Sequence, residues 1–327
     1  MHVEKFIPVI IFFFNSFSTT AFAIYSDSLQ LHKRDTAKIN ASRLINRNFN
    51  NAYLQNLRPS YAGQDFFDPK KTLLVADLST HFVLLNTPKL PFFFVASARV
   101  NIRLLADHGS PVESPSYMPG GTLYFRTNSD SYNPRFLSVS YTHHSNGARA
   151  ATLNRNNSFN IDSGEFTTNF YTLTFHAGKR VERKGLIINR YNAIGLELHS
   201  ALVDKGYSEG LKGRYGFVRV NGNWLYIISK ARRDIVNPNK KAFENWQHIQ
   251  LDFAYIADKY DNYKITDVKK RLNINLKYYY RFPFMQNVSL VAGAGYRGQD
   301  DYNILFQDSY AYITLGFAAG LAFNAHN

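Results

Sequence analysis

The chain is 327 residues long, has no cysteine, and carries a formal net charge of +14 from 38 Lys and Arg against 24 Asp and Glu. The absence of cysteine excludes a disulfide framework and a thiolate zinc site. With 27 Phe and 22 Tyr at a mean hydropathy of −0.30, the composition suits a wall that is apolar on one face and polar on the other, as in a membrane β-barrel.

Residues 1–23 read as a secretory signal peptide. Lys5 precedes an apolar run over residues 6–14, and Ala21 and Ala23 supply the small residues that a signal peptidase reads. An exported protein rarely meets nucleic acid, so the positive charge points elsewhere. Many of the cations fall on alternating positions, as in Arg99-Val100-Asn101-Ile102-Arg103, which suits a polar lumen or anionic lipid head groups. Residues 24–71 hold no period and read as an irregular N-terminal segment. No apolar run after Ala23 reaches the roughly twenty residues of a spanning helix.

From residue 72 to 327 the chain reads as one transmembrane domain. In residues 74–84 the even positions are mostly apolar, while Asp77, Ser79 and His81 share the other face. Ala98, Val100, Ile102 and Leu104 then oppose Arg99, Asn101 and Arg103. Later, Leu272, Ile274, Leu276, Tyr278 and Tyr280 alternate with Asn273, Asn275 and Lys277. At the end, Ile313, Leu315, Phe317, Ala319, Leu321 and Phe323 share one face. Period two with one apolar face is the signature of a strand whose polar side lines a lumen. Between residues 185 and 234, Gly206, Gly210, Gly213 and Gly222 blur the boundaries. Such stretches number ten to thirteen. Bacterial barrels use even numbers, so the fold expected is an all-β, antiparallel transmembrane barrel of twelve strands. Gly293-Ala294-Gly295-Tyr296-Arg297-Gly298 spells a dinucleotide-binding pattern, but it ends a strand and opens no helix, so it reads as structural.

The chemistry concentrates in residues 136–145. Read as a strand, they put Val139, Tyr141, His143 and Ser145 on one side, and Val139 and Tyr141 suit lipid. His143 and Ser145 then sit at the top of a lipid-facing row, with His144 turned to the lumen. A serine hydroxyl is a weak nucleophile until a base takes its proton, and a His two positions away on the same face can serve. The base needs an orienting partner. On the returning strand, residues 166–175, Asn169 shares a face with Tyr171, Leu173 and Phe175, which places it near His143 across the hairpin.

These residues resemble the outer-membrane phospholipase A family, which carries His-x-Ser-Asn-Gly on one strand and an Asn on the next. His143-His144-Ser145-Asn146-Gly147 matches that motif in full. Ser110-Pro111 with Tyr117-Met118-Pro119, and Asp301-Tyr302-Asn303 before the last Gly-rich strand, resemble the family at two further places. The resemblance implies a twelve-stranded bacterial outer-membrane barrel that hydrolyses acyl esters of phospholipids and lysophospholipids. It also implies Ca²⁺ beside the serine and a homodimer that meets through its lipid-facing sides. Carried onto this chain, the calcium ligands are the Ala148 carbonyl, Glu165 where the family has a hydroxyl, and Ser110 contributed across the dimer; hard oxygens suit Ca²⁺. The family reaches its Asn through a shorter loop, with an aromatic residue before it. Phe159-Asn160 fits that spelling and Asn169 fits the strand face, so the third catalytic residue stays open between them.

Two other readings compete. A lipid A deacylase barrel also carries His-x-Ser-Asn, with an acidic third member for which Glu165 is the candidate, but such barrels have fewer strands than this length allows. A channel or adhesion barrel without chemistry would carry His143 and Ser145 as a polar pair at the head-group boundary.

Overall fold

In a computed structural model, the described residues are 58–319, apart from 87–89, 107–111, 113, 129, 131, 201–205, 234–240, 283, 286–287 and 302–304, together with 325–326. The signal peptide expected over residues 1–23 lies outside them, as do Ser110, Leu321 and Phe323. Twelve strands form the barrel: β1 (Ser60–Phe66), β2 (Thr72–Asn86), β3 (Phe92–Leu105), β4 (Ser116–Arg126), β5 (Arg135–Ser145), β6 (Thr167–Arg183), β7 (Leu186–His199), β8 (Val218–Arg233), β9 (Lys241–Ile256), β10 (Leu272–Tyr280), β11 (Val288–Arg297) and β12 (Tyr310–Ala319). Each pairs antiparallel with its neighbours in sequence, and β1 pairs with β12, so the sheet closes on itself. A two-residue strand, Ala325–His326, adds to the start of β9. Closure of the sheet is the condition for a β-structure to span a membrane, because an open edge would leave backbone groups unpaired in lipid.

One expectation needs correction. The segment 24–71, read as irregular, contains β1, whose seven residues pair with β12 over their whole length. The sequence Ser60-Tyr61-Ala62-Gly63-Gln64-Asp65-Phe66 has little apolar alternation to announce a strand. Its outward side carries only Ala62 and Phe66 as apolar residues beside Ser60 and Gln64, and its inward Tyr61 and Asp65 are buried. The strand total of twelve therefore holds, with one strand ahead of residue 72.

The alternation does what lipid and lumen require. Leu137, Val139, Tyr141, Leu173, Phe175, Ile194, Leu196, Leu198, Trp224, Ile274, Leu276, Ile313, Leu315 and Phe317 are large, apolar and exposed, and by strand parity they form an outer belt. The lumen takes the polar positions and pairs them. Arg99 binds Asp77 through two 2.8 Å bonds, Arg103 lies 2.8 Å from Asp300, and Lys277 sits 3.8 Å above the Tyr61 ring. Buried charge is tolerated only when paired in this way.

The two ends differ. At one end the connections are short. The tightest joins β6 to β7 through Lys184 (φ 45°) and Gly185 (φ 78°), and two successive positive φ values are those of a type I′ hairpin turn. At the other end the connections 146–166, 200–217 and 298–309 are long and pack on one another. Phe159, Phe166, Leu211, Tyr215 and Phe306 form a buried cluster there, with Leu153, Ile161, Tyr207 and Phe217 against it. The glycines that blur residues 185–234 in the sequence mostly fall in the 200–217 loop, between two regular strands. Gly293 to Arg297 lie in β11, which runs into a turn and not a helix, as expected for a structural glycine run.

Candidate active site

The site is built on the loop-side ends of β5 and β6. Their register sets Ser145 opposite Thr167, His143 opposite Asn169, Tyr141 opposite Tyr171, Val139 opposite Leu173 and Leu137 opposite Phe175. All ten lie on the outer face. Below the polar rows, Leu137, Val139, Leu173 and Phe175 are exposed to the surroundings of the barrel, and the Tyr141 and Tyr171 rings meet at 5.1 Å. His143, Ser145 and Asn169 are half-buried. His144 points the other way, is 2% exposed, and packs on Phe166 at 5.1 Å.

His143 Nδ1 and Asn169 Oδ1 are 2.7 Å apart. With the amide oxygen accepting, the imidazole carries its proton on Nδ1 and presents a basic Nε2 on the face that Ser145 shares. No hydrogen bond between His143 and Ser145 occurs among those of the described residues. In unliganded hydrolases that contact is commonly long and tightens around substrate. Asn160 is placed elsewhere. Its amide donates to the Ala151 carbonyl and Ser163 Oγ at 3.2 Å, and its oxygen accepts from Ser163 N–H, so it folds the loop on itself. Glu165 accepts a 3.1 Å bond from Thr167 Oγ1 and has no bond to His143 among the described residues.

The surroundings fix Asn169. Its N–H donates to the Gly206 carbonyl at 2.7 Å, and its own carbonyl accepts from Ser200 N–H at 2.9 Å. Thr167 exchanges two 2.8 Å bonds with Ser208. The 200–217 loop thus continues the ladder of β6 above the point where β7 ends. Asn146 braces the other side. Buried directly after Ser145, it donates to the Gly164 carbonyl at 2.8 Å and accepts from Phe166 N–H at 2.9 Å and Ala148 N–H at 3.2 Å. These bonds pin the two limbs of the 146–166 loop together. Gly147 follows at φ 72°, a left-handed conformation that a side chain strains. The Asn-Gly of the motif is therefore explained locally as a bracket and a turn.

Sequence reasoning did not assign Tyr117 a place at the site. It is paired with Ser145 across β4 and β5, is exposed, and its ring lies against Gly147. The ladder lapses beside it at Met118 and Pro119, where proline has no N–H to give. Only the Tyr-Met-Pro spelling hinted at this. Of the expected calcium ligands, Ala148 and Glu165 flank the loop entrance and Ser110 lies outside the described residues. Among the described residues no group of three or more His, Cys, Asp or Glu could hold a metal. The Ala148 carbonyl and the Glu165 carboxylate are hard oxygen donors of the kind that Ca²⁺ accepts.

No family model and no curated protein matches the sequence. Solved structures are similar to it in shape. A Salmonella typhi outer membrane phospholipase (OMPLA), described as a dimer with bound calcium, is 13% identical, with 82% of this chain and 96% of that chain covered at a TM-score of 0.50. The outer membrane phospholipase A from Escherichia coli is 14% identical over the same shares, at a TM-score of 0.46. The barrel has the outer-membrane phospholipase fold. At this identity the likeness is one of fold alone. Together with the closed twelve-strand sheet and its exposed apolar belt, it makes the chain a bacterial outer-membrane barrel.

Proposed function

We propose that this barrel is a serine hydrolase of acyl esters in phospholipids and lysophospholipids, with Ser145 as nucleophile, His143 as general base and Asn169 as the residue that orients it. The observation that carries the reading is the 2.7 Å bond between His143 and Asn169 on the outer wall, in a row continuous with residues that face lipid. Polar side chains are costly on that surface, and a paired imidazole and amide there call for a function.

In the mechanism, Ser145 Oγ attacks the ester carbonyl carbon while His143 Nε2 takes its proton. Asn169 holds the Nδ1–H tautomer and adds no charge beside the membrane. The imidazolium then protonates the departing glycerol oxygen, and water, deprotonated by the same base, releases the fatty acid from Ser145. The tetrahedral oxyanion needs a donor close to the nucleophile. The N–H groups of Asn146 and Ala148 are engaged by the loop, and the Gly147 N–H between them is the donor to which we assign this task. Tyr117 and the Tyr141–Tyr171 pair form the apolar floor along which an acyl chain lies.

Calcium belongs to the proposal, with the Ala148 carbonyl, the Glu165 carboxylate and Ser110 of a second copy as ligands; when bound it would stabilise negative charge developing near the scissile ester. Dimerisation through the lipid-facing walls is part of the same reading. The deacylase alternative loses its specific support, because Glu165 bonds Thr167 and the histidine's partner is an amide.

The deciding assay is fatty-acid release from phosphatidylcholine in mixed micelles. Activity is expected with calcium, lost on chelation and restored by adding calcium back. Activity that survives Ser145→Ala overturns the mechanism, and release of acyl chains from lipid A alone transfers the case to the deacylase. Calcium-independent turnover would remove the metal from the proposal and leave the dyad intact.

A further inference from the structure

The turn-side end of the same wall carries a second feature. Beyond Phe175 and Ile194, which face each other on β6 and β7, the next outward pair is Ala177 with Asn192, and the next is Lys179 with Arg190. Two cations directly opposite on one face of an antiparallel pair repel each other. Arg135 joins them from β5, where it faces Ala177 and so lies diagonal to Lys179. All but Asn192 and Ala177 of these polar-end residues are cationic, and Arg135, Lys179 and Arg190 are exposed. By parity, no carboxylate shares this outward face among residues 175–183 of β6, 186–194 of β7 and 224–230 of β8. Glu182 is on the opposite face, bound to Arg180 at 2.9 Å. Asp130, in the neighbouring turn, accepts from Tyr132 N–H, Asn133 N–H and the Asn133 amide at 2.8–3.1 Å and also lies within electrostatic reach of Arg135, so the like-charge pair on which the site rests is Lys179 with Arg190.

Two further observations fit a ligand. The Arg190 guanidinium lies 5.1 Å from the centre of the Tyr226 ring, its cross-strand neighbour on β8, so the cation is held beside an interfacial aromatic. The depth also matches. Along β6, the ten residue steps from Asn169 to Lys179 span about 25 Å of membrane at ~3.3 Å per residue and a strand tilt of ~40°. The cations therefore lie one hydrocarbon thickness away from the candidate catalytic row, at the head-group level of the opposite leaflet. Leading up from them, Leu173, Phe175, Ile194 and Leu196 are 55%, 41%, 56% and 40% exposed, an apolar track for acyl chains.

We propose that Arg135, Lys179 and Arg190 form a binding site for the phosphate of an anionic phospholipid in the leaflet opposite the active site. The phosphate sits between like charges and removes their repulsion, and the acyl chains run along the β6–β7 track. The site needs only that the barrel is embedded, and it stands whether or not Ser145 is a nucleophile.

Native mass spectrometry of the intact barrel, released from micelles containing equal phosphatidylglycerol and phosphatidylcholine, tests it. The wild-type chain is expected to retain phosphatidylglycerol preferentially, by about fivefold for each cation that contacts the head group. Lys179→Gln with Arg190→Gln should bring the ratio near parity. Lys179→Gln alone, which leaves the Arg190–Tyr226 contact intact, should give an intermediate ratio and covers the case in which the double variant fails to fold. Arg155→Gln, on an exposed loop at the other end, should change nothing. An unchanged preference in the Lys179 and Arg190 variants, or an equal loss in Arg155→Gln, overturns the site in favour of net charge or detergent partitioning.

Discussion

The two faces of the β5–β6 ladder carry the same kinds of groups and put them to opposite uses. Outside, Ser145, His143 and Asn169 form a half-buried row above lipid-facing residues. Inside, directly behind Asn169, Thr168 Oγ1 lies 2.7 Å from His199 Nδ1, and His199 Nε2 lies 2.7 Å from Glu197. Asn221 donates to the second Glu197 oxygen at 2.8 Å. By inventory the inner set is the better triad, since it has a hydroxyl, an imidazole and a carboxylate already bonded in order. Yet Thr168 is 0% exposed and meets no substrate. The difference shows that the order of groups does not make an active site. Under the proposed function, access of the hydroxyl to the ester does, and strand parity is what gives Ser145 that access and denies it to Thr168. The inner chain satisfies buried polar groups in the wall that holds Asn169.

The comparison breaks most sharply at adjacent histidines. His143→Ala and Ser145→Ala are each expected to lower turnover by about 10⁶-fold, the scale seen when a nucleophile or its base is removed. His144→Asn should lower it by less than about tenfold, because its ring only fills lumen space against Phe166. Micellar kinetics on the three variants decides this, and equal losses at His143 and His144 would refute the assignment of faces. Asn169→Ala comes next, with an expected loss of about a hundredfold in turnover from a base left without its orienting partner. Asn160→Ala should be nearly silent in the same assay, since its amide serves only the loop.

Much of this was legible in the sequence, for reasons that can be traced to particular residues. The outer row Val139, Tyr141, His143, Ser145 could be read because one face of the strand meets lipid, which forces a strict alternation. The same logic separated His143 from His144 and favoured Asn169 by face over the spelling Phe159-Asn160, and in the structure it is the Asn169 amide that lies against His143 while the Asn160 amide bonds within its own loop. β1 was illegible because Ser60 and Gln64 interrupt its outward face and its partner, β12, lies at the far end of the chain. The sequence carried the returning strand only to residue 175, where the run of alternating apolar residues stops at His176-Ala177-Gly178-Lys179-Arg180, whereas β6 continues to Arg183. It is held by the type I′ turn at Lys184-Gly185 and by bonds from Gly178 and Arg180 N–H to the Pro134 and Tyr132 carbonyls, at 2.8 and 2.7 Å. The inner chain of Thr168, His199, Glu197 and Asn221 joins three strands, and no local pattern announces a contact between residues 168 and 199.

The smaller effects test what the inner face does for the outer one. Thr168→Val keeps the shape of the side chain and removes its hydroxyl, leaving His199 Nδ1 buried without its partner at a cost of about 1–3 kcal/mol. That loss should appear as a lower temperature for the shift between folded and unfolded bands in heat-modifiability electrophoresis. Turnover at low temperature should fall only a few-fold, roughly 1 kcal/mol in the barrier, because Asn169 keeps its backbone bonds to Gly206 and Ser200. If Thr168→Val instead abolished turnover while leaving the melting behaviour unchanged, the inner hydroxyl would belong to the chemistry. The separation of the two faces into one that reacts and one that holds would then be wrong.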